Sequence, residues 1–305
     1  MVKKLFYGAA AAGVIGLAAF WFLTIPAVVP ARALFAHIPD LANGKEMFFA
    51  GGCASCHAVP KQDDPMKLGG GLGLKSPFGT FYVPNISPDP KDGIGAWSEA
   101  QFVTALTKGT SPEGEHYYPA FPYTSYQHIA VDDLRDLFAF LKTLSPVQGR
   151  VRDHDLPFPF TIRRTLGVWK LLFLHRDAPF RSDPSKSAQW MRGAYLVNGP
   201  GHCAECHSPR NAFGAVIENL RFTGGESPDG QGGVPNITQF KLKDWTAEDI
   251  AGTLEDGMTP DADRVGGSMI EVMRNTAQMT PDDRLAIGVY IKSLPPVEGL
   301  ARAKK

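Results

Sequence analysis

Two copies of one five-residue pattern, Cys53-Ala54-Ser55-Cys56-His57 and Cys203-Ala204-Glu205-Cys206-His207, stand 150 residues apart and use all four cysteines of the chain. The echo reaches well beyond them. Val83-Pro84-Asn85-Ile86-Ser87 returns as Val234-Pro235-Asn236-Ile237-Thr238, and Trp97-Ser98 returns as Trp245-Thr246. Each copy closes alike, in Phe140-Leu141-Lys142-Thr143-Leu144-Ser145-Pro146-Val147 and in Tyr290-Ile291-Lys292-Ser293-Leu294-Pro295-Pro296-Val297. Four matches in one order describe a duplicated module, and the 305 residues hold two domains of ordinary size (~150 residues each).

Four cysteines are too few for a disulfide scaffold. Two cysteines three positions apart fit along one edge of a haem, each adding across a vinyl group to form a thioether. The adjacent histidine then falls beneath the iron as an axial ligand, so the spacing reads as c-type haem attachment. A thioredoxin-like pair needs neither the histidine nor a duplicate, and adjacent Cys and His rarely face one tetrahedral zinc. The expectation is two covalently bound haems c, held by Cys53, Cys56 and His57 and by Cys203, Cys206 and His207. A ligand histidine donates its other ring N–H to fix its orientation, and Pro84 and Pro235 are the candidate carbonyls.

Lys3 and Lys4 precede an uncharged run from Leu5 to Ala31, long enough to cross a bilayer. Ala31-Arg32-Ala33 offers a signal-cleavage spacing, but the run greatly exceeds the ~7–15 residues of a signal core. The reading is an uncleaved anchor in the inner membrane, lysines in the cytoplasm and the soluble bulk in the periplasm. The zero net charge then divides into a leader of +3 (residues 1–35), two modules of −3 each (36–150 and 187–305) and a linker of +3 (151–186). No basic excess supports nucleic-acid binding. In the linker, Arg163 to Phe173 reads as a basic amphipathic helix: a connector across both modules or, alternatively, a segment on the membrane surface.

Within a module the pattern is helical. Apolar segments precede each cysteine motif, at Leu41 to Ala50 and Trp190 to Val197. Ser98 and Thr246 start helices, and Asp132-Asp133 and Asp282-Asp283 sit in the first turn of each last helix. Leu134, Leu137, Phe138 and Leu141 form a full apolar stripe, whereas Arg284, Ile287, Gly288 and Ile291 form a thinner one. Gly69 to Gly71 and Gly224-Gly225 read as loops.

The chain resembles the diheme and multiheme c-type cytochromes of bacterial membrane-bound dehydrogenases, such as the alcohol and gluconate enzymes. The resemblance rests on the paired motifs, on Gly79 to Pro90, on Gly93-Ile94-Gly95-Ala96-Trp97 and on Tyr118-Pro119-Ala120-Phe121-Pro122-Tyr123. It implies an all-α chain of two tandem class I cytochrome c domains behind a transmembrane helix. The donor would be a periplasmic or membrane-bound dehydrogenase or a quinol-side donor, the acceptor a cytochrome or terminal oxidase. It also implies Met269, in Gly266-Gly267-Ser268-Met269, as sixth ligand of the second haem, with Met258, Met273 and Met279 as rivals. In the first module the family string carries a ligand methionine where this chain has Phe121, which cannot bind iron. His128 is the nearest substitute by position, with His116 and Met66 behind it. The leading function is electron relay. The alternative is a diheme redox enzyme, a peroxidase or thiosulfate-type oxidoreductase, using an open first haem with Glu115 and His116 as the only obvious acid–base groups. A redox-silent assembly subunit is the third reading.

Overall fold

The computed structural model describes residues 2–174, 183–227 and 232–300. The chain opens with helix α1 (Val2–Leu23), then α2 (Leu41–Ala50) and the short α3 (Cys53–His57). A hairpin of β1 (Gly73–Ser76) and β2 (Gly79–Tyr82) leads to α4 (Glu99–Lys108), α5 (Tyr123–Tyr126) and α6 (Val131–Lys142). After α7 (Leu166–Phe173) the order recurs with α8 (Ala188–Asn198) and α9 (Ala204–His207). A two-residue ribbon of β3 (Gly225–Glu226) and β4 (Gly233–Val234) precedes α10 (Ala247–Asp256), α11 (Met269–Thr276) and α12 (Pro281–Lys292).

Local chemistry fixes the helix starts. Ser98 and Thr246 each accept from the backbone N–H three residues on while Gln101 and Asp249 reach back, so α4 and α10 open on matching capping boxes. Asp40 caps α2 by accepting from the N–H groups of Ala42 and Asn43. In each half the helix before the cysteine motif crosses the last helix, and a glycine stands at the crossing. A side chain at Gly44 would overlap the Asp136 carbonyl of α6, and one at Gly193 would overlap the Ala286 carbonyl of α12. Around the crossings lie Phe48, Leu134 and Leu141 in the first half and Leu196, Val197 and Ile291 in the second, all buried. The thinner stripe of α12 has a local cause. Gly288 lets the Ala247 carbonyl approach, and Arg284 is buried as a donor to the Met279 carbonyl at 2.6 Å and a partner of Glu255 at 2.9 Å.

The outline is refined in detail. The fold is predominantly helical, with two short ribbons in addition: the Gly79-Thr80-Phe81-Tyr82 string pairs with residues 73–76 as a hairpin and Gly225 begins a strand. The apolar run to Ala31 is helical only as far as Leu23, with Pro26 and Pro30 following in non-helical chain. The linker helix forms as α7, while residues 175–182 of the linker and 301–305 of the second module lie outside the described residues.

Candidate haem site

Each motif histidine is held by the same device. His57 Nδ1 donates to the Pro84 carbonyl and His207 Nδ1 to the Pro235 carbonyl, both at 2.8 Å. This leaves Nε2 of each ring as the lone-pair donor. Burial pushes the His57 imidazole down to about 4, against a smaller opposing effect of the Pro84 carbonyl, and lowers His207 in the same way. Both rings are therefore neutral at pH 7, as a metal ligand must be.

The proline carbonyls are themselves positioned by neighbours with no reactive chemistry. The Gly70 N–H donates to the His57 carbonyl and the Gly224 N–H to the His207 carbonyl, both at 2.8 Å. Gly70 (φ 69°) and Gly224 (φ 90°) are left-handed, and a Cβ on Gly70 would stand 2.5 Å from the Pro84 carbonyl. On the other side, Asn85 Nδ2 donates to the Val147 carbonyl at 2.7 Å and Asn236 Nδ2 to the Val297 carbonyl at 2.8 Å. The repeated Val-Pro-Asn-Ile segment thus links the histidine to the chain leaving the last helix. The glycines were missed as site residues because a Gly-rich stretch reads only as a loop.

Cys53, Cys56, His57 and Cys206 line one cavity of about 2240 Å³, with Met47, Ile94 and Leu137 among its apolar walls. Burial pushes the Cys53 and Cys203 thiols up to about 12 and Cys206 to about 11, so they are neutral thiols. The cavity is over twice the ~300–1,000 Å³ of ordinary small-molecule sites. An apolar cleft with thiols at its edge and a fixed, neutral imidazole beside them fits a covalently attached haem.

The distal side differs between the halves. Phe121 lines the cavity, its ring 5.7 Å from Tyr117 and 5.6 Å from Tyr126, where the sequence comparison had placed a ligand methionine. Among the described residues, His128, His116 and Met66 do not line it. His128 lies in the turn after α5, its backbone beside Gly199 of the second half. His116 is buried, with Nε2 donating to the Thr24 carbonyl at 2.9 Å. Glu115 meets Arg163 at 3.5 Å. In the second half, Ser268, Val272 and Thr276 of the α11 region line the cavity, and Met269 between them is half-buried against the core. Met279 is buried in the core, and the Met273 side chain lies over Gly257.

The cytochrome c family model matches residues 41–145. The chain is 48% identical to a diheme cytochrome c-type protein of Cereibacter sphaeroides, over 98% of this chain and 100% of that protein. It is 36% identical to the fructose dehydrogenase cytochrome subunit of Gluconobacter japonicus, over 85% of this chain and 54% of the subunit. It is 32% identical to the gluconate 2-dehydrogenase cytochrome c subunit of Pantoea cypripedii, over 83% of this chain and 59% of the subunit. The chain therefore spans the whole of the first relative and somewhat over half of each of these dehydrogenase subunits.

Proposed function

The chain belongs to the cytochrome c family, and from that premise we propose a membrane-anchored, periplasmic diheme cytochrome c that relays electrons from a dehydrogenase or quinol-side donor toward the respiratory chain. Bound haem supplies a one-electron ferric–ferrous couple; the protein sets its potential through axial ligand, burial and hydrogen bonding. One observation carries the reading: both motif histidines are pinned through Nδ1 to a proline carbonyl at the same distance. In the proposal His57 and His207 are the proximal ligands and Met269 the sixth ligand of the second haem. The exposed 22-residue α1 is the anchor. A dehydrogenase is the donor, by analogy with the named roles of the fructose and gluconate relatives.

The test is direct. Purified full-length protein should retain two haems per chain after denaturation, and a dehydrogenase of this class should reduce both. One haem per chain, or thiols that all still react with alkylating reagents, would overturn the diheme assignment.

Phe121 on the cavity wall favours a second reading, an open first haem that binds a small molecule. Weighing against catalysis there, the His116 ring is committed to the Thr24 carbonyl. Carbon monoxide separates the two readings: rapid binding to half the ferrous haem marks an open first site, and none marks a relay with two six-coordinate haems.

A further inference from the structure

The wall of the shared cavity is divided by charge. The part built by α2 and α3, which includes both cysteines of the first motif, holds no charged side chain. Among the described residues, the cations that the first half and the linker bring to the wall are Lys75 on β1 and Arg152 and Arg163 of the linker, with His154 between the two arginines.

The linker is fastened to the hairpin at this place. The Thr80 N–H donates to the Asp155 carbonyl at 2.8 Å, and the Asp155 N–H returns to the Thr80 carbonyl at 2.9 Å. A Cβ on Gly79, at φ 119°, would stand 2.4 Å from the Asp155 carbonyl, so the docking requires glycine there. His154 Nδ1 accepts from the Tyr82 N–H at 3.1 Å, which leaves Nε2–H as the donor that ring can offer. The Arg152 guanidinium lies 4.5 Å from the centre of the Tyr82 ring, and that of Arg163 lies 4.8 Å from the centre of the Tyr118 ring. Asp153, the carboxylate on the same wall, meets Arg150 at 3.2 Å, and Arg163 meets Glu115 at 3.5 Å. Arg152 is left without an ion pair among the described residues. Tyr82 stands two residues before Pro84, whose carbonyl holds His57, so this charged wall belongs to the first half.

A haem c is apolar except for two propionate carboxylates, on the edge opposite its thioethers, and a carboxylate in an apolar cleft requires cations or donors. We propose that Arg152, His154 and Arg163 hold the propionates of the first haem. The clamp deepens the diheme reading and rests on it, and it makes the linker part of a haem site as well as a connector. Arginine suits the task, because its planar fork matches a carboxylate and stacking on tyrosine orders it beforehand. A cation beside the porphyrin favours ferrous over ferric iron, so the clamp also raises the potential of the first haem. Among the described residues, the second half lines the cavity with one arginine, Arg210, and that is paired with Glu205 at 2.6 Å.

The experiment uses the full-length holoprotein and reads two quantities: the redox titration of each haem and the propionate bending bands of the resonance Raman spectrum. Arg152→Gln and Arg163→Gln are compared with Lys91→Gln, which removes one charge from an exposed site off the cavity. Each arginine variant should weaken reduction of one haem on the order of threefold, leave the other unchanged and move a propionate band. Lys91→Gln should do neither, and Arg163→Lys, which keeps the charge, should retain the wild-type potential. Arg163 also donates to the His116 carbonyl at 3.1 Å, so should Arg163→Gln fail to take up haem, Arg152→Gln alone decides. Two haems with unchanged potentials and bands in Arg152→Gln overturn the clamp and leave the diheme reading standing. Equal shifts in Lys91→Gln overturn it as well, since the effect is then one of net charge. Wild-type protein that carries no haem on Cys53 and Cys56 overturns the diheme reading and the clamp together.

Discussion

A histidine that must offer one nitrogen to a metal is only as well aimed as the group holding the other nitrogen. Here that group is a proline carbonyl, and the residues that limit it are glycines. Gly70→Ala forces a side chain into the left-handed region and against Val83 and Pro84. It should cost more than ~1 kcal/mol in guanidinium melts of the holoprotein and lower haem loading. Gly252→Ala, in α10, where no positive φ is required and a Cβ would meet nothing within 4 Å, should load haem normally. On the distal side the proposed ligands give opposite expectations. Because a methionine ligand raises the potential, Met269→Ala should lower the potential of the second haem and open it to carbon monoxide. Phe121→Met should raise the potential of the first, both read by redox titration. The two proline carbonyls that take the His57 and His207 ring protons were legible in the sequence, because the need to orient a ligand histidine points to a carbonyl in the repeated Val-Pro-Asn-Ile segment. Gly70 and Gly224 were not, since their role lies in a positive φ and a close approach that a loop-like stretch does not disclose.

Among the elements, the clearest forecasts came from groups that complete backbone hydrogen bonding at helix ends. Ser98, Thr246 and the paired aspartates opening α6 and α12 all stand where the pattern put them. The two ribbons were missed because their pairing joins only a few residues each, too short for an alternating pattern to register. A buried carboxylate stitches α6 to the first half. Asp136 accepts from the Asp40 N–H at 2.8 Å, from Asn43 Nδ2 at 2.8 Å and from His37 Nε2 at 2.6 Å. Burial pushes this carboxyl up, but those donors outweigh it and hold it below the usual aspartate range. A folded-state pKa below the unfolded one contributes stability above the ordinary value of about 3.9, and that contribution disappears as pH falls through the folded value. Asp136→Asn should therefore destabilise the protein at pH 7, with the difference from wild type shrinking below about pH 4 in thermal melts. The linker helix depends on a comparable contact. Lys170→Met strands the carbonyls of Lys108 and Gly109 at the end of α4 and should cost ~1–3 kcal/mol without altering either haem spectrum.

At the scale of the whole molecule, the halves exchange contacts through equivalent positions. Ser55, between the cysteines of the first motif, accepts from Asn275 Nδ2 at 2.9 Å and donates to the Glu271 carbonyl of α11 at 3.2 Å. Glu205, its counterpart in the second motif, accepts from Thr124 at 2.8 Å and Ser125 at 3.0 Å, both in α5. Each attachment motif thus rests on the distal helix of the other half, and residues from both halves line one cavity. Between the motifs sits His202, at φ 37° where its counterpart Gly52 has φ 57°, its ring 5.5 Å from Tyr126. A histidine held in a conformation its duplicate assigns to glycine implies that the junction outweighs the backbone strain. None of this was legible beforehand. The motif leaves its two middle positions free, so Ser55 and Glu205 carry no signal, and their partners lie up to 220 residues away. The consequence is cooperative stability. Glu205 also pairs with the exposed Arg210 at 2.6 Å, so Glu205→Ala would remove that ion pair and leave the Thr124 and Ser125 hydroxyls without their acceptor. Stranding those hydroxyls costs ~1–3 kcal/mol. If the exchanged contacts make the halves fold as one unit, wild-type holoprotein should melt in a single transition, followed both at the Soret band and by far-ultraviolet dichroism. Glu205→Ala should split it into two. Glu205→Gln, which keeps the hydroxyl contacts and loses only the charge, should remain a single transition at a lower midpoint. A wild-type protein that already melts in two steps would mean that the shared cavity joins the halves in space but not in energy.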